Sequence, residues 1–563
     1  MDSPPLPSLQ TVAMPAGWEH HAAPAATLLD GLGSPLAWWG ISAVLIAAGI
    51  ALRRRRPCLA VSLAVAASLT LALAANGLVD DAYIQFRYAA NLAAGHGPVF
   101  NAGERIEGAS GGVWIVLLGL TSAVTGCDPA VAGRILSLAA GVLATAAAAT
   151  VGGTLGGRES AAASALLWAA LPTPALYAAT GLETTAFALA LWALAAAALS
   201  ERRSLAVAAG ALVATLRPEG VLLGACALPF WGRLGRAARL ALGSLLASFV
   251  LTAGVRLLYY GLPVPRSALV KGVTAAAGIG PGLAYLGQAL IEWWPLLLAA
   301  PWIARRHRAA LPVLCPVGAW TLLVVARGGD WMPGGRYLLP LLVLLVAGAG
   351  AALTEGTGRL GRVILIASVA WGLVLLAPIE RPSRSPVGAS WRAMAEHRVQ
   401  SRWWESIGTW LRGTLPADAT LASGPSGALP YAARLRTFDM FGLCSEVTHR
   451  HEGAAGHRLW GIEEAIAGRP DLVYPGQRLP QIDDWGAILG AARRPVYDTP
   501  GFAQAYRPLG IVHGAEYQLD LLRDVLWVRS DLDLNRQGAA DRIGGRAAER
   551  PDADDQRKSR RTR

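Results

Sequence analysis

The sequence predicts an all-α polytopic membrane domain of about 12 transmembrane helices, followed by a small α/β domain on the external face of the membrane. Three observations predict it. First, 53% of the 563 residues are hydrophobic and only 16% are charged, with a mean hydropathy of +0.39. A soluble chain of that length would divide into several cores and carry more charge. Second, apolar runs near or above the roughly 20 residues that span a bilayer recur through the first two-thirds of the chain. Third, arginines fall in short clusters between those runs, which is the basic bias of cytoplasmic loops. The net charge of +12 is explained by these clusters and does not call for a nucleic acid partner.

The elements follow in order. Residues 1–35 are rich in Pro and Ala, lack a periodic pattern and read as a disordered arm. A first span at about 36–52 ends at Arg53 to Arg56, which the basic bias puts inside. The first 52 residues contain no Lys or Arg, so a cleavable signal peptide with a basic start is not expected. A second span at about 57–78 returns outward and delivers Asp80 and Asp81 to a first external loop, 79–111. The apolar stretch 111–126 is expected to lie in the interface or re-enter. Further spans are expected near 130–152, 160–178, 185–200, 237–259, 283–303, 309–326, 336–353 and 363–379. Only 29 residues separate Arg203 from Arg233, so the chain must turn between them at RPEG (217–220), as two short crossings or a re-entrant hairpin. After Pro378 the long apolar runs stop, and 380–535 alternates short strand-like stretches (TLAS, TFDMFG, DLVYPG, VLWVRS) with helix-like ones. Residues 536–563 are charged and rich in Gly and Ala, and read as a disordered tail. The cysteines at 58, 127, 226, 315 and 444 contain no CxxC, which excludes a disulfide framework and a cysteine metal site.

This topology gathers polar segments on one face. Asp80 and Asp81 share it with Glu107, with GLET (181–184) containing Glu183, and with RPEG containing Arg217 and Glu219. PVPRSALVKG (263–272) adds Arg266 and Lys271. RGGDWMPGGR (327–336) adds Arg327, Asp330, Trp331 and Arg336. Charged residues at the ends of membrane segments are costly unless they serve a site or reach water. The paired aspartates have two readings. One is a helix N-cap before AYIQFRYAANLA, which explains one aspartate and leaves the other without a role. The other is general base catalysis, in which a carboxylate takes the proton of an acceptor hydroxyl while nearby cations stabilise a departing phosphate. Arg87, one turn beyond Tyr83 on the same helix, is a candidate cation. A divalent ion (Mg, Mn or Ca) shared by Asp80 and Asp81 is a candidate for part of that work.

The string DDAYIQFRYAANLAAGHGPVFNAGERIEG resembles the first external loop of the GT-C superfamily of polyprenyl-phosphate-dependent glycosyltransferases. Within it, the string is most similar to the mycobacterial terminal β-(1→2)-arabinofuranosyltransferases. SGGVW, TGLET, LRPEG, PVPRSALVKG, RGGDWMPGGRYLLPLL and TFDMFGLCSE extend the resemblance through most of 78–475. The resemblance implies a many-helix membrane protein of the bacterial inner membrane with a DD active site, Asp80 and Asp81, on the external face. It implies a polyprenyl-phosphate sugar as donor; Arg87, Arg266, Lys271 and Arg336, which the expected topology puts on the catalytic side, are the candidates for its phosphate. Tyr83, Glu107, Glu183, Arg217, Glu219, Asp330 and Trp331 would line the substrates, and the C-terminal domain would face a cell-envelope polysaccharide or glycolipid acceptor. The sequence departs at GASGGVW (108–114), where such proteins more often carry an aromatic and a Thr-Asn. That departure bears on which sugar is moved.

Weaker constellations are His449, His451 and His457, a loop-like run read as solvated, and Asp531 with Asp533, a DxD read as a strand end. The chain has no GxGxxG after a strand and no GxxxxGK[ST], so no nucleotide fold accompanies that DxD. A transporter or flippase of lipid-linked sugars is the competing function. Transporters usually show internal repeats and helices broken near the membrane middle. Neither is legible here, and the polar motifs cluster at one face.

Overall fold

A computed structural model describes residues 34–268, 279–300, 303, 307–353, 358–379, 385, 387–445, 462–476, 501–513 and 523–531. The expected arm up to residue 33, Lys271, the three histidines 449, 451 and 457, Asp533 and the tail 536–563 lie outside these residues.

The first two helices, α1 (Pro35–Leu52) and α2 (Pro57–Ala74), form a hairpin turning at the arginine cluster. Ser34 caps α1 by accepting from the Ala37 amide at 3.2 Å, with Pro35 at the first helical position. The cluster is closed by Glu159, whose Oε1 lies 2.9 Å from Arg54 and 3.4 Å from Arg53. The chain then enters α3 (Asp80–Ala93) and α4 (Gly112–Thr125).

The two spans expected at 130–152 and 160–178 are two helices, taken together as α5 (Pro129–Ala170), that fold back on one another where Gly156 and Gly157 leave helical geometry: a Cβ on Gly152 would stand 2.4 Å from Ser164 Oγ. Gly157 has φ +76°, which a residue with a Cβ tolerates poorly. The second of those spans stops eight residues early. Leu171 is extended before Pro172, as a residue ahead of proline prefers, and α6 (Pro172–Ala178) restarts the helix. Next come α7 (Thr184–Leu199), α8 (Arg203–Leu216) and α9 (Val221–Ala227), with the expected turn at Pro218–Gly220 between the last two. The remaining apolar helices are α10 (Arg236–Tyr260), α11 (Ile279–Leu297), α12 (His307–Ala326), α13 (Leu339–Ala352) and α14 (Gly358–Leu376).

Among the described residues, α1, α2, α5 and α10 are long and apolar enough to cross a membrane, and six shorter apolar helices stand beside them. Large apolar side chains such as Val124, Val250, Leu251, Leu258 and Leu322 point outward. In water such a surface would drive association; in lipid it is the solvated face. The protein is a helical membrane protein.

Helix α15 (Ala389–Thr414) links this bundle to a five-stranded sheet. Met394 joins the bundle core. Nine residues further along, Trp403 begins a row with Ile407 and Leu411 at helical spacing under the sheet with Leu421, Leu472, Tyr474 and Leu526. The strands are β1 (Thr420–Ser423), β2 (Arg436–Asp439), β3 (Leu472–Tyr474), β4 (Tyr506–His513) and β5 (Arg523–Arg529), in the order β2-β1-β3-β5-β4. β1 is parallel to β2 and β3; β5 is antiparallel to β3 and β4. Short helices α16 (Ala428–Ala433), α17 (Ile462–Ala467) and α18 (Phe502–Ala505) connect them. Strands β1, β2, β3 and β5 fall on the four stretches read as strand-like.

Candidate active site at the junction of bundle and sheet

Asp80 and Asp81 open α3, but neither is its N-cap. Val79 holds that position in an extended conformation without a side-chain hydrogen bond. The cap reading is corrected: the Asp80 carboxylate turns away from its own helix and accepts from the Ala428 amide at 2.7 Å (Oδ1). Asp81 faces the other way, its Oδ2 3.2 Å from Nη2 of Arg336. The two aspartates are thus in different environments. Burial pushes the Asp80 carboxyl up to about 7, opposed by the Ala428 amide and assisted by the negative charges of Asp81 and Asp439.

Arg336 stands in the short turn Arg336–Leu338 that leads into α13. It is almost fully enclosed, with 4% of its side chain exposed, and Asp330 grips it from the far side at 2.5 Å (Nε to Oδ2). The RGGDWMPGGR segment therefore folds its own arginine and aspartate together. Gly334 and Gly335 at φ +82° and +69° let the loop turn tightly enough to do so. Tyr177 donates to the Pro333 carbonyl at 2.6 Å and pins the loop to α6. Trp331, 36% exposed, stands edge-on to His397 at 4.8 Å. Tyr337 is shared by two guanidiniums, Arg336 at 5.2 Å and Arg217 at 4.8 Å.

Arg217 leads to a second polar group. Its Nη2 pairs with Oε1 of Glu183 at 3.0 Å, both side chains being buried, and Gln85 donates to Oε2 of the same glutamate at 2.7 Å. Three polar atoms here, Gln85 Oε1, Arg217 Nε and Glu219 Oε2, are buried without a hydrogen-bond partner among the described residues.

Two expectations are corrected. Arg87 was a candidate for the donor phosphate. Its guanidinium is instead consumed by protein oxygens: Phe100 O at 2.7 Å, Pro430 O at 2.6 Å, Leu435 O at 2.7 Å and Asn101 Oδ1 at 2.8 Å. It rivets α3 to the sheet unit. Tyr83 was expected to line the substrates. It is buried among Phe86 and Tyr431 and donates to Oε2 of Glu405 at 3.0 Å. Among the described residues no three His, Cys, Asp or Glu converge, and of the pair Asp80 and Asp81 one carboxylate faces an amide and the other an arginine.

Arg256, near the end of α10, was not singled out from the sequence. Its Nε lies 3.0 Å from both oxygens of Glu107. An arginine inside an apolar run needs a partner, and that was the available signal. Glu107 and Arg266 line a cavity of about 800 Å³ with Asn101, Glu104, Thr437 and Arg436, between the first loop and the sheet. Arg266 donates to Ser445 O at 2.9 Å. Asp80 and Asp81 do not line this cavity. Burial pushes the Glu107 carboxyl up, while Arg256 opposes the rise. Asp531 is exposed and bound to Arg529, as a solvated strand end would be.

The family described as a domain of unknown function (DUF8728) matches residues 390–522. In overall structure the chain compares with ArnT from Cupriavidus metallidurans bound to undecaprenyl phosphate, with a TM-score of 0.49, 13% identity, and coverage of 83% of this chain and 97% of that one. It also compares with the Archaeoglobus fulgidus oligosaccharyltransferase, with a TM-score of 0.43, 11% identity, and coverage of 73% and 67%. In sequence it is 30% identical over 323 residues to the terminal β-(1→2)-arabinofuranosyltransferase of Mycobacterium tuberculosis, covering 48% of this chain and 51% of that protein. The protein of the same name from Corynebacterium glutamicum is 32% identical over 339 residues, covering 47% of each. The chain spans about half the length of the curated relatives it matches, and over that half it is similar to terminal arabinofuranosyltransferases.

Proposed function

We propose that this protein is a membrane glycosyltransferase of GT-C architecture, moving a sugar, with arabinofuranose the first candidate, from a polyprenyl-phosphate donor to an envelope glycan or glycolipid outside the membrane. The observation that carries the reading is the asymmetry of the aspartate pair. Asp81 is held in an ion pair, whereas Asp80 sits where its proton affinity matches neutral pH, which suits a general base. Asp80 takes the proton of the acceptor hydroxyl, the hydroxyl oxygen bonds to the anomeric carbon, and the sugar–phosphate bond breaks to release polyprenyl phosphate. Arg336, balanced by two carboxylates, orients Asp81 and contributes little net charge. The phosphate charge then falls to Arg266 and to Lys271. The unpartnered atoms of Gln85, Arg217 and Glu219 suit sugar hydroxyls, which can both donate and accept. The 800 Å³ cavity, with both charge signs, the Asn101 amide and several hydroxyl groups, suits the outer part of a neutral oligosaccharide acceptor whose reacting hydroxyl lies beyond it at Asp80.

The test incubates purified protein with a panel of polyprenyl-phosphate sugars and envelope glycans, with and without EDTA, and follows release of polyprenyl phosphate. Acceptor-dependent release that Asp80→Asn abolishes supports the reading. No release from any donor, together with movement of the lipid across vesicles, would favour a transporter.

A further inference from the structure

We infer that the turn 424–428 of the sheet unit is a working part of the catalytic centre, positioning Asp80 for proton transfer. This rests on the reading of Asp80 as the base, and it gives the module matching the domain of unknown function a task beyond holding an acceptor.

Three observations carry it. The Ala428 amide donates to Oδ1 of Asp80 at 2.7 Å, fixing the direction of the carboxylate. Gly427 packs directly on the aspartate: a Cβ built there would stand 1.9 Å from the Asp80 carbonyl oxygen and 2.7 Å from its Cγ. Only glycine lets the turn approach this closely. The turn is itself held from behind. Asp439, fully buried, accepts from Ser426 Oγ at 2.5 Å and from the amides of Phe441, Leu443 and Cys444 at 2.9, 2.7 and 2.7 Å. Ser423, at the end of β1, adds a hydrogen bond to the Pro425 carbonyl at 2.6 Å. A rigid frame on the sheet therefore presents one amide to one carboxylate oxygen, a second layer fixing a reactive group. The charged and titratable groups around Asp80 are Asp81 on its own helix with Arg336 behind it, and Asp439 and the Cys444 thiol on the sheet side.

The test uses the full-length protein in the polyprenyl-phosphate release assay. Ala428→Pro removes the amide while suiting the first position of α16. Ser426→Ala loosens the frame without adding bulk. Misplacing a reacting group by about 1 Å typically costs about 100-fold, so Ala428→Pro is expected to lower kcat roughly 100-fold and Ser426→Ala several-fold. KM values for both substrates stay within about twofold. Loss of a hydrogen bond to the charged carboxylate also moves the acid limb of the kcat profile to higher pH, which a merely structural defect would not do. Raised acceptor KM with unchanged kcat, or lowered kcat with an unmoved acid limb, overturns the inference. If Asp80→Asn itself turns over normally, the base assignment fails; if that variant is inactive but Ala428→Pro is wild type, only the role of the turn fails.

Discussion

At Asp80 the expected pH behaviour follows from the sign of its shift. A base that titrates at about 7 is active only when ionised, so kcat/KM should fall about tenfold per pH unit below 7 and level off above it. Asp80→Asn should lose roughly 10²–10⁴-fold in kcat while folding normally. A flat profile between pH 5.5 and 8 would remove Asp80 from the chemistry. Glu405 gives a stability counterpart. It is 1% exposed, and burial pushes it up to about 7 from an ordinary 4.5. A raised carboxyl favours the folded state at low pH, and that contribution is lost as pH rises through 7. The difference corresponds to about 3 kcal/mol. Glu405→Gln keeps the acceptor for Tyr83, so it should melt several degrees above wild type at pH 8 and level with it at pH 4.5. Asp80 and Asp81 were legible because two carboxylates ending an apolar run demand a reason. Arg87 was misread because the carbonyls that consume it belong to residues 343 and 348 positions away. Sequence proximity to Tyr83 carried no information about them.

The elements were more legible than the contacts between them. Apolar runs and arginine clusters located α1, α2, α7 and α10 to within a few residues, because helix period and burial are local properties. The break in α5 was legible too: GG inside an apolar run reads as a turn between two spans, and the chain reverses at Gly156 and Gly157. Strand β4 went unread, since YRPLGIVH carries a proline and a glycine and bulges between Pro508 and Gly510. The rivet formed by Arg87 makes a prediction about α3. Arg87→Ala leaves several buried carbonyls without donors and should cost about 3–5 kcal/mol. Arg87→Lys should not rescue it, because an ammonium cannot reach oxygens spread around a planar fork. Melting in detergent reads the loss. A variant that melts normally but has a raised donor KM would restore the phosphate role.

For the whole molecule, the arginine asymmetry predicts Asp80 and the sheet unit outside and Arg53 to Arg56 inside. In a background lacking native cysteines, His96→Cys and Arg412→Cys should label with an impermeant thiol reagent on intact cells, and Arg55→Cys only after lysis; all three positions are exposed. Protection of His96→Cys would invert the arrangement.

The hydrogen bond between Asp80 and Ala428 also sets a clock. Its partners are 348 residues apart, and ribosomes add roughly 5–20 residues per second, so α3 waits about 20–70 s between its own emergence and that of its amide. Throughout that interval the guanidinium of Arg87 also lacks Pro430 and Leu435. A nascent chain therefore carries Asp80 without the frame that orients its carboxylate. That frame is complete only when the sheet docks.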